Sequence, residues 1–326
     1  MMERPVASVS IDLDNLWSYL KTHGDSAWES WPSFLARAVP RLLDLLGEQD
    51  ITATVFVVGA DAVRDDGAEA VRAIAAGGHE VGNHSFHHEP WLHLYSVSQM
   101  EDEVARAEEA IVAAGAARPV GFRGPGYSVT DDLLAVLARR GYRYDASTLP
   151  TWIGPIARAV HNRSMPRGTR PAKGQEDLFG GFSRVRSPIR PYRWDTDGGP
   201  IVELPVTTMP FARVPIHGSY LVQLYQVAPW LARAYLDAAL RLCRTTGTAP
   251  SMLLHPTDVL DRHDAPGMDF FPGMGVPAAE KIVLVRSVLD RMSRHYDVVG
   301  TGRQVDQLPT LLPVVTARGA TAGRNR

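Results

Sequence analysis

In Val6-Ala7-Ser8-Val9-Ser10-Ile11-Asp12-Leu13-Asp14-Asn15, residues 6–13 are a short β-branched run that ends among two carboxylates, Asp12 and Asp14. It reads as a buried strand delivering acids at its C-terminal end, and two acids there are poor packing residues. Outward from it the pattern repeats. Residues 51–58, 79–82, 120–122, 142–145, 201–206 and 251–254 read as further strands. Helices are predicted over 33–47, 65–76, 98–114, 130–140, 230–245 and 277–296, the third opening on Ser98-Gln99-Met100-Glu101 as a capping box. This alternation implies an α/β fold with a parallel sheet, open or closed into a barrel, and right-handed crossovers.

In such sheets, functional groups collect beyond the C-terminal ends of the strands. Asp12 and Asp14, His84 and His88, Arg123, then Asp145 follow four of the first five strands, and His255 follows the last clear one. Packing alone would not arrange this. His84 and His88 are four apart, a spacing that on one helical turn aims both imidazoles at one ion.

Composition narrows the classes. A chain of 326 residues, 45% hydrophobic, can bury a large core without staples. A formal charge of -2 argues against a nucleic-acid binder. The single Cys243, inside an apolar helical pattern, excludes an intrachain disulfide and reads as a small buried hydrophobe suited to a reducing compartment. No apolar run approaches the roughly 18 residues of a membrane span, and no secretory stretch precedes the first strand, so a cytoplasmic protein is expected. P-loop, dinucleotide and paired-cysteine motifs are absent. One catalytic domain over 1–312 is expected, with a loop-rich insertion at about 153–200 and an unstructured tail over 313–326. Arg158 through Arg193 holds nine Lys/Arg against Glu176 and Asp177, reading either as a solvated insertion or as a basic lid over a phosphorylated or membrane-surface substrate. Nothing in the sequence fixes an oligomeric state.

Two imidazoles and one carboxylate form a three-ligand site with positions left for water and substrate, as a catalytic metal needs. Asp14, His84 and His88 supply that set. Asp12 is then the candidate general base and His255 the proton donor; Arg123 would hold Asp12 ionised, and Asp145 would orient His255. Metal-assisted hydrolysis of an amide or ester follows. The remaining histidines, His23, His79, His87, His93, His161, His217, His263 and His295, take ordinary structural readings.

The ordered motifs Asp12-Leu13-Asp14, His84-Ser85-Phe86-His87-His88, Arg123-Gly124-Pro125-Gly126-Tyr127, Asp145-Ala146-Ser147-Thr148-Leu149-Pro150-Thr151-Trp152 and Leu253-Leu254-His255 resemble the five motifs of the polysaccharide deacetylases, the NodB-homology domain of carbohydrate esterase family four. The resemblance spans about residues 6–150 and 250–300. It implies a distorted (β/α) barrel with a long insertion before the last strands. Its activity would be a hydrolase acting on the linear amide of an N-acetylated or N-formylated aminosugar, with a divalent metal, usually Zn2+. By position it makes Asp12 the base, Asp14, His84 and His88 the metal ligands, His255 the acid with Asp145 as partner, and Arg123 the residue steadying the base. Trp152 and Leu253 would wall the acyl pocket, with the Gly126 N–H on the oxyanion and Tyr127 beside it in the substrate site.

The departure is Leu13 between the aspartates. An extended strand puts residues 12 and 14 on the same face, a variant resembling the branch with deformylases of lipid-linked aminoarabinose and allantoinase-like amidohydrolases. A nucleotide-, lipid- or antibiotic-linked aminosugar, with peripheral membrane contact, suits that branch better than a polymer. A metal-independent cyclic imide or ureide hydrolase and a non-catalytic sugar-binding protein on the same scaffold are the alternatives.

Overall fold

The computed structural model describes residues 4–153 and 187–316. Its first strand, β1 (Val6–Leu13), has the predicted bounds. Ala7, Val9, Ile11 and Leu13 enter the main apolar core, whereas Ser8, Ser10 and Asp12 are buried on the opposite face. This period-2 division lets one strand serve both core and chemistry.

The strands that follow are β2 (Thr54–Val57), β3 (Glu80–Asn83), β4 (Gly121–Phe122), β5 (Tyr144–Asp145), β6 (Tyr192–Thr196), β7 (Gly199–Glu203), β8 (Ser251–Leu254), β9 (Asp297–Val299) and β10 (Val314–Thr316). They lie in one sheet ordered β10-β6-β7-β5-β4-β3-β2-β1-β8, with β9 also on β1. Every pairing is parallel except the β6–β7 hairpin, which turns through Asp197-Gly198. The described helices are α1 (Leu16–His23), α2 (Leu35–Gly47), α3 (Gly59–Ala62), α4 (Asp65–Ala76), α5 (Val97–Ala113), α6 (Asp131–Arg139), α7 (Gly218–Val227), α8 (Pro229–Thr246), α9 (Ala278–His295) and α10 (Thr301–Asp306). None of them is long and apolar enough to cross a membrane.

The pairings form an open path from β10 to β8. Beyond β7 the chain bonds first to the segment at the end of β5 and then to β8: Leu204 N donates to Asp145 O, Val206 N to Thr148 O and Thr207 N to Ser251 O. Besides the main core and a cluster around Phe122, Leu134 and Trp194, Phe56, Tyr144, Ala146, Leu204 and Val305 form a small third core. Glycines make room for its rings. A Cβ on Gly82 would lie 2.4 Å from the Phe56 ring, and one on Gly121 would lie 2.0 Å from that of Tyr144.

Three expectations change. The α5 capping box is Ser96 with Gln99, two residues earlier than predicted, because Ser96 has the extended backbone of a cap and its hydroxyl accepts from Gln99 N. Val314–Thr316 pairs with β6, so those residues are a strand where an unstructured tail was expected; 317–326 lie outside the described residues. The expected insertion at about 153–200 lies largely outside them too, but its last part, β6 and the start of β7, joins the same sheet. Cys243 is wholly buried in the main core, with its thiol pushed up to about 12 by burial.

Candidate metal centre and active site

His84 and His88 sit in an irregular loop after β3, with no helical turn between them. The helical geometry expected from their spacing is therefore replaced. Ser85 (φ 62°) and His88 (φ 52°) adopt left-handed backbone, uncommon for such residues and frequent at functional sites. The loop is held almost atom by atom. His84 N donates to Val57 O, Ser85 N to the Asn83 side chain, and His88 N to Ser85 Oγ. Ser85 O and Phe86 O accept from Gly59 N and Ala60 N at the start of α3. Phe86 N and His87 N donate to Glu103 Oε2 at 3.0 and 2.9 Å. Glu103, 3% exposed, stands on the buried stripe of α5 beside Met100 and Val104. A lone charge on that apolar stripe is the sequence signal for it.

The loop brings His84 Nε2 to 3.3 Å and His88 Nε2 to 2.9 Å from Asp14 Oδ1. All three ligand atoms lie within 4.8 Å of one another, and this is the cluster of its kind among the described residues. A tetrahedral ion with bonds of about 2.0–2.1 Å holds its ligand atoms roughly 3.3 Å apart, so little movement is needed. His84 Nδ1 lies 2.6 Å from Arg123 O. A carbonyl only accepts, so the proton sits on Nδ1 and Nε2 keeps its lone pair for a metal. Burial pushes the Asp14 carboxyl up, yet His88 and His84 outweigh it and hold Asp14 well below the usual carboxylate range. Burial likewise pushes His84 down, but Asp12 and Asp14 raise it overall. A site that draws a proton this way also fits a cation.

Asp12 lies beside this triad, 4% exposed, with Oδ1 at 3.5 Å from Arg123 Nη1 and Oδ2 at 3.9 Å from His255 Nε2. Its Oδ1 is buried without a hydrogen bond. Arg123 is fully buried: its guanidinium lies 4.8 Å from the Phe56 ring centroid, and Nη2 donates to Ser10 Oγ. A buried guanidinium at this distance keeps Asp12 company as a charge without occupying its oxygens.

Asp145 is not where the sequence reading put it. Side chains alternate along β5, so Tyr144 faces Phe56 and the interior while Asp145 turns to the other face, beside Glu203 of β7. Asp145 Oδ1 accepts from Ser147 Oγ at 2.6 Å, and Ser147 Oγ in turn accepts from Gly124 N at 2.7 Å. Glu203 accepts from Thr148 N and Trp194 Nε1. Asp145 thus braces the Arg123–Tyr127 loop, while the group beside His255 Nδ1 is Ser219, whose hydroxyl in turn lies on Asp258. Burial and the Asp145 charge raise Glu203 well above the usual carboxylate range. A carboxyl with a raised folded pKa stabilises the fold below its ordinary 4.5 and loses that contribution as pH rises through the folded value. Glu203→Gln is therefore expected to flatten the fall in stability on the alkaline side; the urea midpoint at about pH 5 and about pH 8 measures it.

Gly126 (φ 59°) and Tyr127 (φ 63°) are left-handed, as the turn after Arg123 requires, and the Tyr127 hydroxyl is raised by burial and by Asp12. Leu253 is wholly buried, beside Ser10 of β1. Trp152 is 50% exposed, and its Nε1 donates to Ala212 O. His217, given an ordinary structural reading, caps α7 and lies 6.4 Å from the His255 ring, its pKa lowered to about 3 by burial and by the His255 and Arg123 charges.

The polysaccharide deacetylase family profile matches residues 25–144, a span that contains His84, His88 and Arg123. A peptidoglycan deacetylase from Helicobacter pylori is 26% identical over 156 residues, covering 46% of this chain and 51% of that one. A chitooligosaccharide deacetylase from Bradyrhizobium sp. is 37% identical over 103 residues, covering 31% of this chain and 46% of that one. The chain thus spans about half the length of these relatives. A crystal structure from Mycobacterium smegmatis, described as a polysaccharide deacetylase, superposes with a TM-score of 0.62 at 21% identity, covering 98% of this chain and 96% of that one. The polysaccharide deacetylase family is supported by this profile and by the names of the relatives, and the α/β fold matches.

Proposed function

We propose that the chain is a metal-dependent amidohydrolase that removes an N-acyl group from an aminosugar. The observation that carries this reading is the grouping of Asp14, His84 and His88 within 4.8 Å, with Asp12 flanked by Arg123 and His255 at its side. Asp14, His84 and His88 would hold a divalent ion, most simply Zn2+, which would supply Lewis-acid polarisation of an acyl carbonyl and lower the pKa of a water molecule. Asp12 takes a proton from the attacking water as its oxygen bonds to the acyl carbon. The Gly126 N–H steadies the developing oxyanion, Arg123 keeps Asp12 anionic, and Tyr127 and Leu253 border the acyl group. As the imidazolium, His255 gives its Nε2 proton to the sugar nitrogen while the C–N bond breaks, and the proton taken up by Asp12 replaces it, leaving a free amine and a carboxylic acid.

The relatives named as peptidoglycan and chitooligosaccharide deacetylases favour acetyl as the acyl group. The spacing of Asp12 and Asp14 keeps formyl in contention, on a small carrier-linked aminosugar in a reducing, cytoplasmic setting that suits the buried thiol of Cys243. The complete triad favours this reading over a metal-independent cyclic ureide hydrolase. Mass spectrometry of N-acetyl and N-formyl aminosugars, free, oligomeric and carrier-linked, incubated with the metal-loaded chain, tests it. Loss of the acyl mass from one class is expected; no loss from any of them would contradict the proposal.

A further inference from the structure

We propose that Ser219 and Asp258 are the positioning residues of His255, linked in series from imidazole to hydroxyl to carboxylate. The proposal rests on the reading of His255 as proton donor. Ser219 Oγ lies 3.3 Å from His255 Nδ1 and 2.8 Å from Asp258 Oδ1. A serine hydroxyl has one proton, and a carboxylate can only accept. Ser219 therefore donates to Asp258 and accepts from His255, which puts the imidazole proton on Nδ1 and turns Nε2 toward Asp12. The second Asp258 oxygen accepts from the backbone N–H of His255 at 2.9 Å, so one carboxylate grips the residue at two points.

The surroundings are built for this contact. Asp258 is 1% and Ser219 9% exposed. At the head of α7, a Cβ on Gly218 would lie 2.2 Å from Asp258 Oδ2, so a glycine is what allows the helix to bring Ser219 this close. From α9, the buried Lys281 Nζ donates to Thr257 O at 2.8 Å and Leu260 O at 2.6 Å, fixing the turn on both sides of Asp258. Burial raises Asp258, with His255 and Lys281 pulling it back. Asp12 and His217 also lie near His255, and Tyr19 and Tyr127 feel the Asp258 charge beside it. Asp145 spends its oxygens on Ser147 and on its contact with Glu203.

Nitrogen-15 NMR of the full, Zn2+-loaded chain with labelled histidine reads the tautomer directly. In the wild type the neutral His255 ring is expected to carry its proton on Nδ1. Ser219→Ala should shift that proton toward Nε2, whereas Asp145→Asn should leave the His255 signal in place. Alongside, Ser219→Ala should lower kcat on an amide by about 10–100-fold with KM within about twofold and metal content unchanged. Ser219→Thr should restore part of the loss, and Ser219→Ala/Asp258→Asn should fall little below the worse single variant, as groups acting in series do. An unchanged tautomer in Ser219→Ala, or a shift produced by Asp145→Asn, would overturn the proposal. A wild type that hydrolyses no acylated aminosugar would sink the functional reading while the NMR result still decides this one.

Discussion

Asp12→Asn is expected to lower kcat by about 10²–10⁴-fold while the chain keeps its metal. The amide copies the shape of the carboxylate but cannot accept a proton from water, and Asp12 is not among the three grouped ligands. The same change leaves Arg123, fully buried, without its nearest anion at 3.5 Å. Its stacking on Phe56 and its bond to Ser10 remain, so a stability loss of up to about 3–5 kcal/mol, the cost of orphaning a buried charge, is an upper bound. Steady-state kinetics, metal analysis and a urea titration separate the three effects. A variant with normal kcat would remove Asp12 from the role of base.

His255→Ala is expected to cost about 10²–10⁴-fold on an amide and much less on an activated ester of the same acid. An amine leaves poorly without a proton, whereas a good alkoxide or phenoxide leaving group needs little help. The position of His255 Nε2 at 3.9 Å from Asp12 Oδ2, with Arg123 Nη1 nearest the other oxygen, makes this division of labour physical: one group receives a proton and its neighbour returns one. Asp12→Asn should depress both substrates alike. Equal losses on amide and ester in His255→Ala would mean that His255 acts before the bond breaks, on binding or on the attack.

Much of this was legible in the sequence because the sheet converts strand ends into a common edge. β1 and β8 have the predicted bounds, and the residues after β1, β3, β4 and β8 do meet. What was illegible depended on contacts between distant segments. Asp145 reads as a strand-end acid like the others, but β5 is two residues long, and its register against β7 turns that side chain to Glu203. The His84–His88 spacing suggested a helical turn, and left-handed residues and the side chain of Glu103 instead shape a loop. The Asp197-Gly198 hairpin signal is present in the sequence, but it falls within the loop-rich insertion expected at about 153–200. Ser219 could not be found at all, since its use depends on α7 meeting the turn after β8.

Metal analysis of the purified chain beside Asp14→Ala and His84→Ala tests the central claim most directly. One divalent ion per chain is expected in the wild type, and close to none in either variant at the same free-metal concentration, with the urea midpoint of each confirming that it is folded. An ion bound equally by all three, or a wild type that hydrolyses its substrate unchanged after exhaustive chelation, would contradict the account.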